Sequence, residues 1–166
     1  MKPMLTATPK TQQVKKEIDH LAAAVLTPEE LMQGMVKKLN ERMLKYNWAG
    51  FYMLENKPGQ PPVLVLGPYV GAMTPHTRIP LNKGICGAAA STGKTQVVHD
   101  VNADPRYLAC SIETKSEIVV PIFVHGKVVG ELDIDSHFPA AFKPEDQELV
   151  EYCARVLGKH LEKLQR

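Results

Sequence analysis

One stretch constrains the fold more than any other: "SEIVVPIFVHGKVVGELDIDS", residues 116–136. Two runs rich in β-branched residues, "EIVVPIFV" and "KVVGELDID", flank His125-Gly126. Two residues ending in glycine between such runs predict a β-hairpin. In the second run Glu131, Asp133 and Asp135 alternate with Leu132 and Ile134. Side chains on a strand alternate between faces, so all three acids share one face of the sheet. Three acids on an internal strand are costly if buried without partners. They therefore mark either a solvated face or a pocket. A pocket of this kind takes a cationic group or holds a carboxylic acid of raised pKa.

The remaining elements fit around this hairpin. Residues 48–54 ("WAGFYML") and 63–70 ("VLVLGPYV"), joined by the turn-rich "ENKPGQPP", predict a second hairpin. "TRIPL" reads as a short extended piece, "GICGAAAS" as a short helix opened by Gly84, and "TQVVHDV" (residues 95–101) as another strand. "NADPRYLACSIETK" is a connector. Thr27, Pro28 and Glu30 have the spacing of an N-cap, a first helical position and a capping box. Met32, Met35, Val36, Leu39 and Met43 then recur at helical intervals on one apolar face. A last helix starts near Pro144 and runs almost to Arg166, although Lys143 is a poor N-cap; Leu149, Cys153, Val156, His160 and Leu164 share one of its faces. Residues 1–12 read as a loose polar tail, and residues 13–166 as a single domain. Hairpins outnumber parallel crossovers. The expected class is α+β: a central antiparallel sheet with the N- and C-terminal helices packed on one face.

Charge and hydropathy narrow the function classes. The net charge is +2, and the lysines are scattered among glutamates. Such a chain offers no basic patch for nucleic acid. No apolar run reaches the roughly 20 residues of a membrane span, and the N-terminal segment lacks the apolar centre of a secretory leader. "GKT" at residues 93–95 lacks the upstream glycine spacing of a phosphate-binding loop. A cytoplasmic location is expected, where the three cysteines rest as thiols.

Those cysteines differ in setting. Cys153 lies on the apolar face of the last helix and reads as core. Cys86 falls in the first turn of the short helix. There free N–H groups and the helix dipole favour a thiolate, although tight packing beside Ile85 and the alanines explains the position equally well. Cys110 sits in the polar connector among Ser111, Glu113, Thr114 and Lys115, seven residues before Glu117. It is either an incidental surface cysteine or a mobile nucleophile that meets both a substrate and a second thiol.

Taken together, "NWAGFYML", "LVLGPYVG", "TRIP", "GICGAA", "ACS…SEIVVPI" and "GELDIDS" resemble the free methionine-(R)-sulfoxide reductases, which are single GAF domains. The resemblance runs from about Asn47 to the last helix. It implies a GAF-like fold and a catalytic set of Cys110 as nucleophile, Cys86 as resolving thiol and Glu117 as acid. Trp48, Tyr52, Glu117, Asp133 and Asp135 are implied as substrate-binding residues. It implies reduction of the sulfoxide with no metal or other cofactor, recycling by a thioredoxin-like dithiol, and a homodimer. The dimer is also suggested by apolar surface on Met32, Met35, Met43, Leu157, Leu161 and Leu164.

The chain departs from the family pattern near the implied site, where "PRYLAC" also lacks a usual glycine and histidine before the nucleophile. His76 stands where a further cysteine is usual, Ser111 where an aspartate follows the nucleophile, and Glu131 where a small or aliphatic residue is usual. A zinc site from His76, Cys86, His99 and Cys110 lacks a zinc-ligand spacing. The alternative function is a non-catalytic GAF sensory module for a small ligand such as an amino acid or a cyclic nucleotide. It would bind ligand without producing methionine. A bare dimerisation unit would leave the cysteine and acid set unexplained.

Overall fold

In the computed structural model, which describes residues 9–25, 27–109 and 111–165, both expected hairpins form and join one six-stranded sheet. The elements in chain order are α1 (Pro9–Ala24), α2 (Pro28–Arg42), β1 (Trp48–Glu55), β2 (Val63–Val70), β3 (Arg78–Pro80), α3 (Gly84–Thr92), β4 (Gln96–Val98), β5 (Ser116–Val124), β6 (Lys127–Ser136) and α4 (Pro144–Leu164). The strand order is β3-β2-β1-β6-β5-β4, and every neighbouring pair is antiparallel. His125 and Gly126 both take positive φ, 49° and 77°. That is what a two-residue hairpin turn needs to match the twist of its strands.

The hairpin β5–β6 and strand β1 separate two apolar cores. On one face Ala49, Phe51, Ile118, Val120, Ile122, Leu132 and Ile134 meet α2 and α4, with Val14 and Ile18 of α1 completing the core. On the other face Tyr52, Leu64, Ile79 and Val119 pack with Ile85, Cys86, Ala89 and Ala90 of α3. The N- and C-terminal helices thus share one face as expected, and the short helix α3 covers the other.

Local chemistry sets the helix ends. Thr27 Oγ1 accepts the Glu30 N–H at 3.1 Å and donates to Glu30 Oε1 at 3.0 Å, so the cap is closed through the hydroxyl. At α4 the weak cap residue Lys143 is compensated by Asp146, whose Oδ2 accepts the Lys143 N–H at 2.9 Å. The other oxygen of Asp146 accepts a hydrogen bond from the buried Tyr46 hydroxyl. This tie fixes the start of α4 to the segment entering β1.

Three expectations need correction. The tail does not extend to residue 12: α1 begins at Pro9 and already buries Thr11, while residues 1–8 lie outside the described residues. The fully buried stripe of α4 is Leu149, Val150, Cys153, Ala154, Leu157 and Gly158; Val156 packs at its edge, His160 is half-buried and Leu164 is exposed. Gly158 is the reason, because it lets the helix approach β5 closely. Finally, Met32, Met35 and Leu157 are buried within a single chain, so they are not free surface for a second copy. No helix among the described residues is long and apolar enough to cross a membrane.

The close approach at Gly158 gives a stability test. A Cβ there would lie 2.5 Å from the Phe123 carbonyl oxygen. Backbone cannot rotate away as a side chain can. Gly158→Ala is expected to destabilise the protein by about 1–3 kcal/mol, despite the roughly 1 kcal/mol that alanine normally gains over glycine within a helix. Urea denaturation should show a lowered midpoint. A raised midpoint would mean that helix propensity, not packing, governs this contact.

Candidate active site

The acid face of β6 lies under α3, so the solvated-face reading fails. Glu131 is 0 % exposed, Asp133 3 %, Asp135 4 % and, on β5, Glu117 5 %. Register explains the grouping. Glu117 pairs with Asp135, and Gly50 and Val119 flank Asp133 on its two sides. Among the described residues no lysine or arginine forms an ion pair with any of the four. Burial is the largest influence on each, and it pushes all four carboxyls up from their usual range. For Glu117 and Asp135 the neighbouring carboxylates add to the rise. Each carboxyl of the cluster therefore holds its proton more tightly than an isolated one.

Cys86 hangs over this cluster from the first turn of α3. Its thiol donates to Asp133 Oδ2 at 3.4 Å. Ligating atoms of Cys86, Glu117 and Asp133 all lie within 4.8 Å of one another. Of the two readings of Cys86, tight packing holds and the helix-stabilised thiolate does not. Burial, then the charges of Asp133, Glu131 and Glu117, push the thiol well above its ordinary value. Cys86 rests as a thiol and acts as a hydrogen-bond donor. Cys153 is buried in the opposite core, and burial pushes its pKa up to about 12.

An aromatic wall stands beside the acids. Trp48 and Tyr52 come from β1, on the same face as Gly50. The Trp48 ring lies across Gly50, where any Cβ would collide with it. It stacks on Tyr69 of β2 at 5.6 Å between ring centres, and its Nε1–H donates to the Ala72 carbonyl at 2.9 Å. Tyr52 donates its hydroxyl to the His76 carbonyl at 2.8 Å.

Two small cavities flank the cluster. One of about 20 Å³, room for roughly one water, is lined by Tyr52, His76, Cys86, Leu108, Glu117 and Asp133. The other, about 100 Å³, is lined by Trp48, Met73, Ser111, Asp135 and His137 among others. The structure therefore brings Tyr52, Cys86, Glu117 and Asp133 to one cavity and Trp48 and Asp135 to its neighbour. Cys110 lies outside the described residues, and so does any distance between it and Cys86. Its neighbours Leu108 and Ser111 line the first and second cavity respectively.

Two contributions were not assigned from sequence. The His76 Nε2 forms a hydrogen bond with the Ala109 carbonyl at 3.0 Å, linking the β2–β3 segment to the connector. Glu131 is buried beside Cys86 and joins its electrostatics. In the sequence His76 was noticeable only as a departure from a pattern, whereas Glu131 was also placed by strand alternation on the face of Asp133 and Asp135. His99, by contrast, is exposed at the end of β4 and away from the cluster.

In sequence and in fold the chain is similar to known proteins. The GAF domain family model matches residues 27–161. Free methionine-R-sulfoxide reductase of Escherichia coli is 40 % identical over 123 residues, covering 74 % of this chain and 71 % of that protein. The enzyme of the same name from Saccharomyces cerevisiae is 45 % identical over 114 residues, which is 68 % of this chain and 62 % of that one. The chain belongs to the GAF-domain free methionine-R-sulfoxide reductase family. An X-ray structure of a member from Neisseria meningitidis, in complex with its substrate, superposes with a TM-score of 0.85 at 33 % identity, covering 97 % of this chain and 96 % of that one.

The acid cluster fixes the sign of a pH effect. A carboxyl whose folded pKa is raised binds its proton more tightly when folded than unfolded. Its contribution is fully present below the unfolded value of about 4.3 and is lost as pH rises through the folded one. Glu131→Gln removes one such ionisation. Its melting temperature relative to the unsubstituted protein should rise steadily between pH 5 and pH 8, by about 2–4 °C for each kcal/mol recovered. Differential scanning fluorimetry across that range checks this. A difference that falls with pH would show Glu131 to be a stabilised carboxylate instead.

Proposed function

We propose that this protein reduces free methionine-(R)-sulfoxide to methionine, with Cys110 as nucleophile and Cys86 as resolving thiol. One observation carries the reading: Glu117, Asp133 and Asp135 form a buried acidic cluster that pairs with no cationic side chain among the described residues, next to an aromatic wall and a thiol. A buried cluster of this kind suits a ligand that brings its own cation, and the ammonium of a free amino acid does so. A methionine inside a peptide has no such group. Trp48 and Tyr52 face the side of the pocket that takes the S-methyl group.

The chemistry follows from the protonation state. The Cys110 thiolate attacks the sulfoxide sulfur while Glu117, kept protonated by burial and its acidic neighbours, gives a proton to the oxygen. Methionine departs with two electrons gained, and Cys110 is left as a sulfenic acid. The Cys86 sulfur then forms a disulfide with Cys110, and water leaves. A thioredoxin-like dithiol reduces that disulfide by exchange, in the reducing setting of the cytoplasm. No metal or organic cofactor enters any of these steps. We also assign the protein a homodimeric state, which light scattering at high protein concentration checks.

Variants separate this enzyme from a sensory module. Cys110→Ser is expected to abolish methionine formation even in one turnover. Cys86→Ser should give one turnover and then stall with Cys110 as a sulfenic acid. Glu117→Gln should slow the first step by about 10²–10⁴, and Asp133→Asn should mainly weaken substrate binding. The measurement is methionine released from the R and S epimers, first stoichiometrically and then with thioredoxin and NADPH-coupled recycling. Pre-reduced protein in excess over the R-sulfoxide that released no methionine would end the enzymatic reading and favour ligand sensing.

A further inference from the structure

Cys86 of α3, Glu117 of β5 and Asp133 of β6 bring three ligand atoms together from three separate elements. Among the described residues they are the one set of histidine, cysteine and acidic side chains whose ligand atoms all lie within 4.8 Å of one another. All three residues are at most 6 % exposed, and all line the cavity of about 20 Å³. Asp133 commits only one of its oxygens. Its Oδ2 accepts the Cys86 thiol at 3.4 Å, while Oδ1 is buried with no hydrogen-bond partner among the described residues. A buried acceptor left unpaired is costly. It marks a place where a group from outside the chain completes the arrangement.

We propose that Cys86, Glu117 and Asp133 form a binding site for one thiophilic divalent cation of the zinc class, which competes with the substrate for the pocket. The site shares only Cys86 with the histidine and cysteine set weighed from the sequence. Zinc holds cysteine sulfur at about 2.3 Å and carboxylate oxygen at about 2.0–2.2 Å, and tetrahedral angles then set sulfur and oxygen about 3.5 Å apart. The 3.4 Å between Cys86 Sγ and Asp133 Oδ2 already meets that spacing. Glu117 completes three protein ligands, and the cavity leaves room for a water in the fourth position. Asp135, beside Glu117 in the register, adds negative charge next to the ion. A coordinating thiol gives up its proton. The Cys86 S–H bond breaks, a sulfur–metal bond forms, and the proton leaves to solvent with any that the two carboxyls hold.

Ligand chemistry selects among cations. Magnesium demands near-octahedral oxygen ligands and gives up its water reluctantly, and calcium takes several oxygens at longer distances. Neither suits a buried set of one sulfur and two carboxyls. Sulfur favours zinc and its thiophilic neighbours. The competition rests on the function proposed above, because that reading places the substrate ammonium against Glu117, Asp133 and Asp135. A bound ion occupies two of the same carboxyls. It also withholds the Cys86 sulfur from disulfide formation, so an occupied site is an inhibited enzyme.

The test uses the full chain, reduced and stripped of metal with a chelator, and cobalt(II) as a spectroscopic stand-in for zinc. Equilibrium dialysis should give one ion per chain, and cobalt should produce a sulfur-to-metal charge-transfer band that added zinc abolishes. Cys86→Ser should remove the band, while Cys110→Ser and Cys153→Ser keep it. Glu117→Gln and Asp133→Asn should each weaken binding roughly tenfold or more, since even outer-shell partners of a metal contribute that much. No cobalt bound, a band that survives in Cys86→Ser, or an affinity unchanged in both carboxyl variants would overturn the site. If Cys86→Ser does not fold, the two carboxyl variants decide by the same criterion. In Cys110→Ser, which cannot turn over, free methionine-(R)-sulfoxide should displace the cobalt and bleach the band. A band that no concentration of sulfoxide diminishes would overturn the competition. Failure of the underlying reading looks different: metal-free unsubstituted protein then releases no methionine, whatever the cobalt band shows.

Discussion

The acidic face of β6 buried beneath α3 is the constraint on which the rest of the arrangement depends. One strand serves two cores at once. Leu132 and Ile134 point into the large core under α2 and α4, while Glu131, Asp133 and Asp135 point the other way. Because the side-chain period is two, a register slip of one residue would drive three carboxyls into the helical core and expose two aliphatics to the site. The cost of that slip pins the register of β6 against both β1 and β5. The same pinning sets Glu117 beside Asp135 and Trp48 opposite it on β1. The site is therefore a by-product of sheet register, not of an independently folded loop.

The thiol of Cys86 illustrates how competing effects are decided by size. A helix N-terminus favours an anion by about 0.3–1 kcal/mol when exposed, and up to about 2 in partly buried settings. Full burial moves an ionisable group by as much as 3–5 pKa units, each worth about 1.4 kcal/mol. Here burial and three nearby acids act together against the thiolate. Position in the first turn of α3 alone therefore misleads. What α3 contributes is placement: Gly87 lets the helix approach the Leu81 carbonyl closely, and that close approach sets Cys86 above Asp133.

The hairpins, the capping of α2 and the common face of the terminal helices were legible because each rests on local chemistry: His125-Gly126, Thr27 with Glu30, and aliphatic spacing. The grouping of Glu131, Asp133 and Asp135 was equally legible from alternation. Their burial was not, because alternation gives a face and not what covers it. That needed the crossover carrying α3 over the sheet, a non-local fact. The α4 stripe was misread for a related reason. Gly158 has no side chain to mark it as core, yet its missing Cβ is what turns the helix towards Phe123. The start of α1 was also misplaced, since Pro9 is polar-tail chemistry by composition but an acceptable first residue of a helix.

His76 adds a mechanical link between the rigid sheet and the connector. Strand β1 holds the His76 backbone through the Tyr52 hydroxyl, and the His76 ring holds the Ala109 carbonyl. Both bonds start from residues that line the cavity shared with Cys86 and Glu117. Two hydrogen bonds in series thus tie the residue before Cys110 to a strand whose own position is fixed by the acid register. For a carbonyl partner the Nε2 must carry a hydrogen, which sets the imidazole's donor side and leaves Nδ1 facing elsewhere. A thiol at this position would be too short and too weak a donor to make the same link. The departure at His76 therefore puts a structural tether where the family pattern has a thiol.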